Sequence, residues 1–206
     1  MRLTSLPPAI NLNLALGTLS DSSFAAFDPA RPGGKPLGIE LQALDVLGDS
    51  KAFFAARGLL QKKGYKLVID GLDETTLRFL DIGRTGADLY KVEWSPELPH
   101  AGRGDALLAA IKHIDQSKFL LSRCDSETAI TWGLENGFSK FQGRFVETML
   151  AATTMAVCDK AAACTLQQCV NRHQVIMGPL RAECGNNQML DKPPSMRAPQ
   201  KKAKAR

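Results

Sequence analysis

The chain has 206 residues, 44% of them hydrophobic and 23% charged, enough to bury one domain core and carry an appendage. No run approaches the roughly 18 apolar residues of a membrane span, and the opening MRLTSLPPAINLNLALG, with one Arg, two prolines and two asparagines, is a poor secretory signal; the chain reads as cytoplasmic. The formal charge of +5 belongs to the tail, where Lys192, Arg197, Lys201, Lys202, Lys204 and Arg206 stand without an acid, so that residues 1–191 carry −1. Such a tail reads first as a disordered solubilising end. Nucleic-acid binding is the weaker reading, because no aromatic side chain is interleaved to stack on bases.

Along the chain, apolar runs of strand length alternate with helical patterns. INLNLAL (10–16) and LGIEL (37–41) are the first two strands expected. Residues 53–63 form a short helix with Phe53, Phe54, Leu59 and Leu60 as its apolar positions. KLVID (66–70) is the third strand, a helix spans 75–82, and ADLYKVEW (87–94) holds the fourth strand. Residues 104–116 are amphipathic, with Leu107, Leu108, Ile111 and Ile114 at helical spacing. KFLLSRC (118–124) is the fifth strand, 126–136 a helix closed by Gly137, and SKFQGRF (139–145) the sixth strand.

Strands alternating with helices imply an α/β fold with a parallel sheet and right-handed crossovers. In such folds the working groups gather at the C-terminal ends of the strands. Glu40, Asp70, Lys91 or Glu93, and the segment 122–125 fall there. Singly, each reads as a strand end meeting solvent. Together, acids, Asn and Lys are the inventory of a divalent-metal phosphodiesterase.

The order of these motifs resembles the EAL domain family, whose members have a TIM-barrel-like fold and linearise cyclic di-GMP with two Mg²⁺ or Mn²⁺ ions. NLALGTLSDSSF (13–24) is similar to that family's Asn-Leu-Ser strand, LGIELQALDVLGD (37–49) to its Leu-x-x-Glu-x-Thr-Glu segment, and GYKLVIDGLD (64–73) to its Asp-Asp-Phe-Gly strand. LYKVE (89–93) is similar to Leu-Lys-Ile-Asp, LSRCDSE (121–127) to Ala-Glu-Gly-Val-Glu-Thr, and GFSKFQGRF (137–145) to a Gly followed by Gln-Gly-Tyr. The resemblance implies an EAL-like partial barrel of about six parallel strands over residues 1–150. It places Asn13, Glu40 and Asp70 on metal-ligand positions, Lys91 on the lysine that orients and activates the attacking water, and Gln142 on the glutamine near the site.

It also implies losses. Gly71 stands where the family has a second aspartate, Ala43 and Ser122 where it has glutamates, and Asp125 replaces a further glutamate. No counterpart of the Glu-Ala-Leu segment precedes Asn13, and the loop after Asp70 is short and has lost its glycines. Two divalent ions about 3.5–4 Å apart need several carboxylates to offset their repulsion. The expectation is therefore a degenerate, catalytically inactive regulatory or protein-interaction module in bacterial signalling, with Mg²⁺ or Mn²⁺ poorly held. A non-hydrolysing cyclic di-GMP receptor is the alternative, and an active phosphodiesterase ranks last. An open sheet leaves edges, to be covered by a protein partner, a second copy, the C-terminal region or further chain.

Residues 151–191 form a Cys-rich helical extension ahead of the 192–206 tail. Cys158, Cys164, Cys169 and Cys184 have the spacing C-x5-C-x4-C-x14-C, with His173 between the last two. A cytosolic chain rarely spends such a cluster on disulfides. Four thiolates, or three with His173, suit a tetrahedral structural zinc. An iron–sulfur cluster is a lesser alternative. Against both, there is no C-x2-C knuckle, and helical cysteines in an Ala-rich stretch also serve as core residues. Cys124 reads as packing.

Overall fold

In a computed structural model, which describes residues 10–30, 37–100, 102–175 and 178–191, five strands form one parallel sheet in the order β1 (Ile10–Asn13), β2 (Leu37–Gln42), β3 (Lys66–Leu72), β4 (Leu89–Glu93) and β5 (Phe119–Ser122). Each parallel pair is joined by helical crossovers: α1 (Ser22–Ala30), α2 (Ala43–Gly48) and α3 (Ser50–Lys62), α4 (Glu74–Phe79) and α5 (Ile82–Thr85), and α6 (Arg103–Ile111). A further helix, α7 (Glu127–Glu135), follows β5. Three of these helices, α3, α4 and α7, start where a side chain satisfies free backbone donors. Asp49 accepts from Ala52 N at 2.9 Å to open α3, Asp73 and Thr76 cap each other's backbone at α4, and Ser126 accepts from Ala129 N at α7.

Strand alternation sorts the side chains. Ile39, Leu41, Leu67, Ile69, Tyr90, Val92, Phe119 and Leu121 are each no more than 2% exposed. Phe53 and Leu60 of α3, Leu107 and Ile111 of α6 and Trp132 of α7 join them in the buried core. Tyr90 stacks on Phe119 with ring centroids 5.2 Å apart and donates its hydroxyl to Ile82 O at 3.0 Å, so that its one polar atom is satisfied.

Two differences from the sequence reading arise here. The sixth strand expected over 139–145 is a single bridge, Leu121↔Phe141. Leu121 N donates to Lys140 O and Gln142 N to Leu121 O, both at 2.9 Å, after which the chain leaves the sheet at Gly143. In β3 the partner of Ile69 is Tyr90 but that of Leu72 is Val92, so three steps on one strand match two on the other. The extra residue is a β-bulge, and Gly71 takes a left-handed φ of 74° within it.

The chain divides into two compact units, Met1–Gly143 and Arg144–Arg206. The boundary expected after residue 150 falls inside α8 (Arg144–Val157). The second unit continues with α9 (Leu166–Gln174), α10 (Pro179–Ala182) and α11 (Gln188–Asp191). Thr165 and Gln168 form a capping box at α9, which packs against α8 through Ala151, Cys169, Val170 and Met155. The basic tail from residue 192 lies outside the described residues.

Within this unit His173 Nε2 lies 3.1 Å from Thr154 Oγ1. Burial, with the Arg181 charge added, holds its imidazole below the ordinary value. The folded unit thus binds fewer protons than the unfolded chain once pH falls below about 6.5, and stability present above that value is lost on acidification. Circular dichroism melts between about pH 7 and 5 are expected to show this loss, and His173→Gln, which keeps a hydrogen-bonding group but cannot titrate there, is expected to flatten it. An unchanged slope in the variant would count against the assignment.

Candidate functional site

The opposite face of the sheet carries polar side chains toward the C-terminal ends of its strands, and the strand register says which residues share it. Asn13 pairs with Glu40, Gln42 with Asp70, and Glu93 with Ser122; Lys91 and Glu93 lie two apart on β4, as Asn11 and Asn13 do on β1. Four of the residues expected from sequence, Asn13, Glu40, Asp70 and Lys91, are therefore brought to one face.

The centre of that face is an ion pair removed from water. Lys91 Nζ lies 2.6 Å from Glu40 Oε2, with the side chains 8% and 3% exposed. Asn11 Nδ2 donates to the same oxygen at 3.4 Å, a residue the sequence reading passed over although the period-two pattern puts it on the face of Asn13. Burial is the main cause pushing the Glu40 carboxyl above the usual carboxylate range; Lys91 pulls it back, and the neighbouring Asp70 carboxyl adds to the rise. Asp70 Oδ1 also accepts from Gly71 N at 2.8 Å.

The bulge sets both Asp70 and Gly71 opposite Lys91, between the Ile69–Tyr90 and Leu72–Val92 pairs. A Cβ placed on Gly71 would lie 2.9 Å from Gln42 Oε1, and Gln42 is on the polar face. The backbone thus turns two successive positions toward one site, and the second has no side chain. Ser122 is buried and donates its hydroxyl to Val92 O at 3.1 Å, so it is committed to the backbone. Gln142 is exposed, and what holds it is its main chain: its N bonds Leu121 O, and its O accepts from Cys124 N, both at 2.9 Å.

Mg²⁺ or Mn²⁺, implied by the family resemblance, does not fit these residues. Hard cations take several oxygen ligands. Here Glu40 already neutralises Lys91, and Ala43, Gly71 and Ser122 supply no carboxylate. Beside the face, a cavity of about 230 Å³ is lined by Asp73, Glu74, Glu93, Trp94, Leu98 and Arg123 among others. Its one guanidinium, Arg123, is paired with Glu93 Oε1 at 2.9 Å. The indole Nε1 of Trp94 is buried without a hydrogen-bond partner among the described residues.

In the second unit, Cys158, Cys164 and Cys184 are half-buried and Cys169 is buried. Burial, and after it the proximity of Cys184, Cys164 and Cys158, pushes the Cys169 thiol up. His173 is turned to Thr154. Among the described residues no group of three or more His, Cys, Asp or Glu side chains is placed to hold a metal ion as it stands.

No family model matches the chain, and no curated protein matches it. Among solved structures it is similar to the S helix–GGDEF–EAL region of LapD from Vibrio cholerae bound to c-di-GMP, with a TM-score of 0.56 and 16% identity over 66% of this chain and 36% of that one. The apo form of the same region gives 0.53 and 18% over 69% and 37%. The Bacillus subtilis YkuI protein, which has an EAL domain and was solved in complex with substrate c-di-GMP and calcium, gives 0.50 and 14% over 67% and 36%. This chain spans little more than a third of the length of those structures. No described helix is long and apolar enough to cross a membrane. The parallel sheet, its crossovers and these likenesses together give the chain the EAL-type, TIM-barrel-like α/β fold over part of that barrel.

Proposed function

We propose that the chain is a catalytically inactive EAL-like module of cyclic di-GMP signalling, working as a regulatory or protein-interaction domain. The observation that carries this reading is the bulge at Asp70–Gly71, which aims two successive positions at the site of Lys91 and Glu40 and supplies a carboxylate from only the first. The neighbours solved with c-di-GMP support the signalling context. Hydrolysis needs an activated water beside a stabilised phosphate, and a two-metal site supplies both. In this chain Lys91 instead spends its charge on Glu40 in a dry pair, so neither group is left to a water or a phosphate.

The receptor alternative has less support. Cyclic di-GMP carries two phosphate charges, and the cavity beside the polar face presents Asp73, Glu74, Glu93 and Glu97 against one guanidinium already paired with Glu93. Like charge lining a cleft opposes an anionic ligand.

Assays with Mg²⁺ and with Mn²⁺ are expected to show no turnover of cyclic di-GMP above the protein-free rate, and calorimetric titration no heat of binding. Gly71→Asp returns a carboxylate to the site but leaves Ala43 and Ser122 as they are, so it too is expected to remain inactive. Turnover by the wild type that disappears in Asp70→Ala would overturn the proposal. Micromolar binding without turnover would move it to the receptor reading.

A further inference from the structure

We propose that Cys158, Cys164, Cys169 and Cys184 close on one tetrahedral zinc ion that staples the Arg144–Arg206 unit together. Two independent observations carry this: hydrogen bonds tie the segments around Cys158, Cys164 and Cys184 to one another and to the helix of Cys169, and the described residues of the unit bury only a small core.

The ties can be followed in order. Ala161 N donates to Cys158 O at 3.1 Å and Cys164 N to Ala161 O at 3.0 Å, so the short 3-10 turn at Ala161–Ala163 folds Cys164 back toward Cys158. Arg172, 8% exposed on α9, donates from Nη1 to Cys164 Sγ at 3.0 Å and from Nε to Leu180 O at 3.1 Å, and its Nη2 lies 4.0 Å from Glu183, the neighbour of Cys184. Asn186 Nδ2 donates to Asp159 Oδ1 at 3.1 Å, joining the residues that flank Cys184 to those that flank Cys158. Cys169 lies one turn before Arg172 on the same helix.

The core is small. Among the described residues of this unit the buried apolar side chains are Ala151, Cys169, Val170 and Leu190, while Val157, Leu166 and Leu180 stay exposed. A segment with so little buried surface needs a staple, and a structural metal is one that a reduced protein can use. Four thiolates drawn together repel one another, and a divalent cation reverses that sign. Arg172 then donates to a ligating sulfur from outside, the usual place of a supporting donor.

Binding therefore requires the cysteine side chains to leave their present positions, at the expense of the weak 3.8 Å contact from Cys169 Sγ to Ala151 O. This differs from the barrel face, where Gly71 and Ala43 offer no ligand in any rotamer and Ser122 offers no carboxylate. His173 keeps to Thr154, so the set is all-cysteine.

Protein purified in reductant is expected to carry about one zinc per chain. Cys164→Ser and Cys169→Ser should each lower that content at least tenfold, while Cys124→Ser leaves it unchanged. Because either substitution can also unfold the unit, wild-type protein stripped by chelator should be titrated with Co²⁺. The charge-transfer and ligand-field bands of a tetrahedral cobalt thiolate are then expected, and added Zn²⁺ should abolish them. Stripped, reduced protein that gives no such bands, iron recovered with acid-labile sulfide, or zinc that stays in the Cys169→Ser protein would each overturn the proposal.

Discussion

Lys91→Met is expected to lower the unfolding free energy of the Met1–Gly143 unit by about 3–5 kcal/mol, the scale of a buried ion pair that loses one partner. The cost comes from the group left behind. Glu40, 3% exposed and beside Asp70, would have no counter-charge and would have to take up a proton. Its carboxyl already sits above the usual range in the folded protein, so the folded state binds more protons than the unfolded one as pH falls toward that value. Removing Lys91 raises it further, and the deficit of the variant is expected to narrow on acidification. Lys91→Met with Glu40→Gln removes both charges and should recover most of the loss. Both tryptophans, Trp94 and Trp132, are in this unit, so urea unfolding followed by their fluorescence reports on it. A loss under about 1 kcal/mol for the single variant would show that water reaches the pair.

Gly143→Ala is the second substitution with a large expected effect. A Cβ at this position would stand 2.4, 2.5 and 2.6 Å from Cys124 N, O and C, and the backbone has a φ of 154°. The obstructing atoms are main chain, held by the Cys124 N to Gln142 O bond, and have no rotamer to escape into. A loss of at least about 3 kcal/mol, or no soluble protein, is expected. Gly17→Ala, where nothing lies within 4 Å of the new methyl, is the matched control. If chemical denaturation finds both variants equal to wild type, the close approach of 143 to 124 is wrong.

Much of this fold could be read from the chain. β3 shows itself as Leu67-Val68-Ile69 because a strand covered on its apolar face and paired on both edges repeats β-branched and aliphatic residues, and α3 shows itself through Phe53 and Leu60, although it starts earlier, at Ser50, and leaves Phe54 and Leu59, also read as its apolar positions, exposed. The meeting of Glu40, Asp70 and Lys91 followed from strand ends in a parallel sheet. What did not follow depended on partners distant in sequence. The bulge at Gly71 exists only relative to β4, and a one-residue slip leaves no trace in β3 itself. The sixth strand stopped at one bridge because Gly143 runs against Cys124, a contact no local pattern encodes. Gln142 carried the right motif spacing, yet its main chain, not its amide, is what the fold engages. The link from Arg172 to Cys164 spans two elements and is likewise silent in the sequence.

The surroundings of Cys124 give it a chemical character of its own. Its Sγ donates to Leu121 O at 3.3 Å, it is fully buried, and burial pushes its thiol up to about 11. At neutral pH it is un-ionised and walled off, and alkylating reagents require a reachable thiolate. The remaining four cysteines all lie in Arg144–Arg206. With any zinc stripped, maleimides and iodoacetamide therefore reach the half-buried Cys158, Cys164 and Cys184 of the Arg144–Arg206 unit and pass over the other unit. Freed of metal, the native sequence has its fluorophore attachment region confined to its smaller unit, and labelling that spreads to Cys124 marks the moment the larger unit opens.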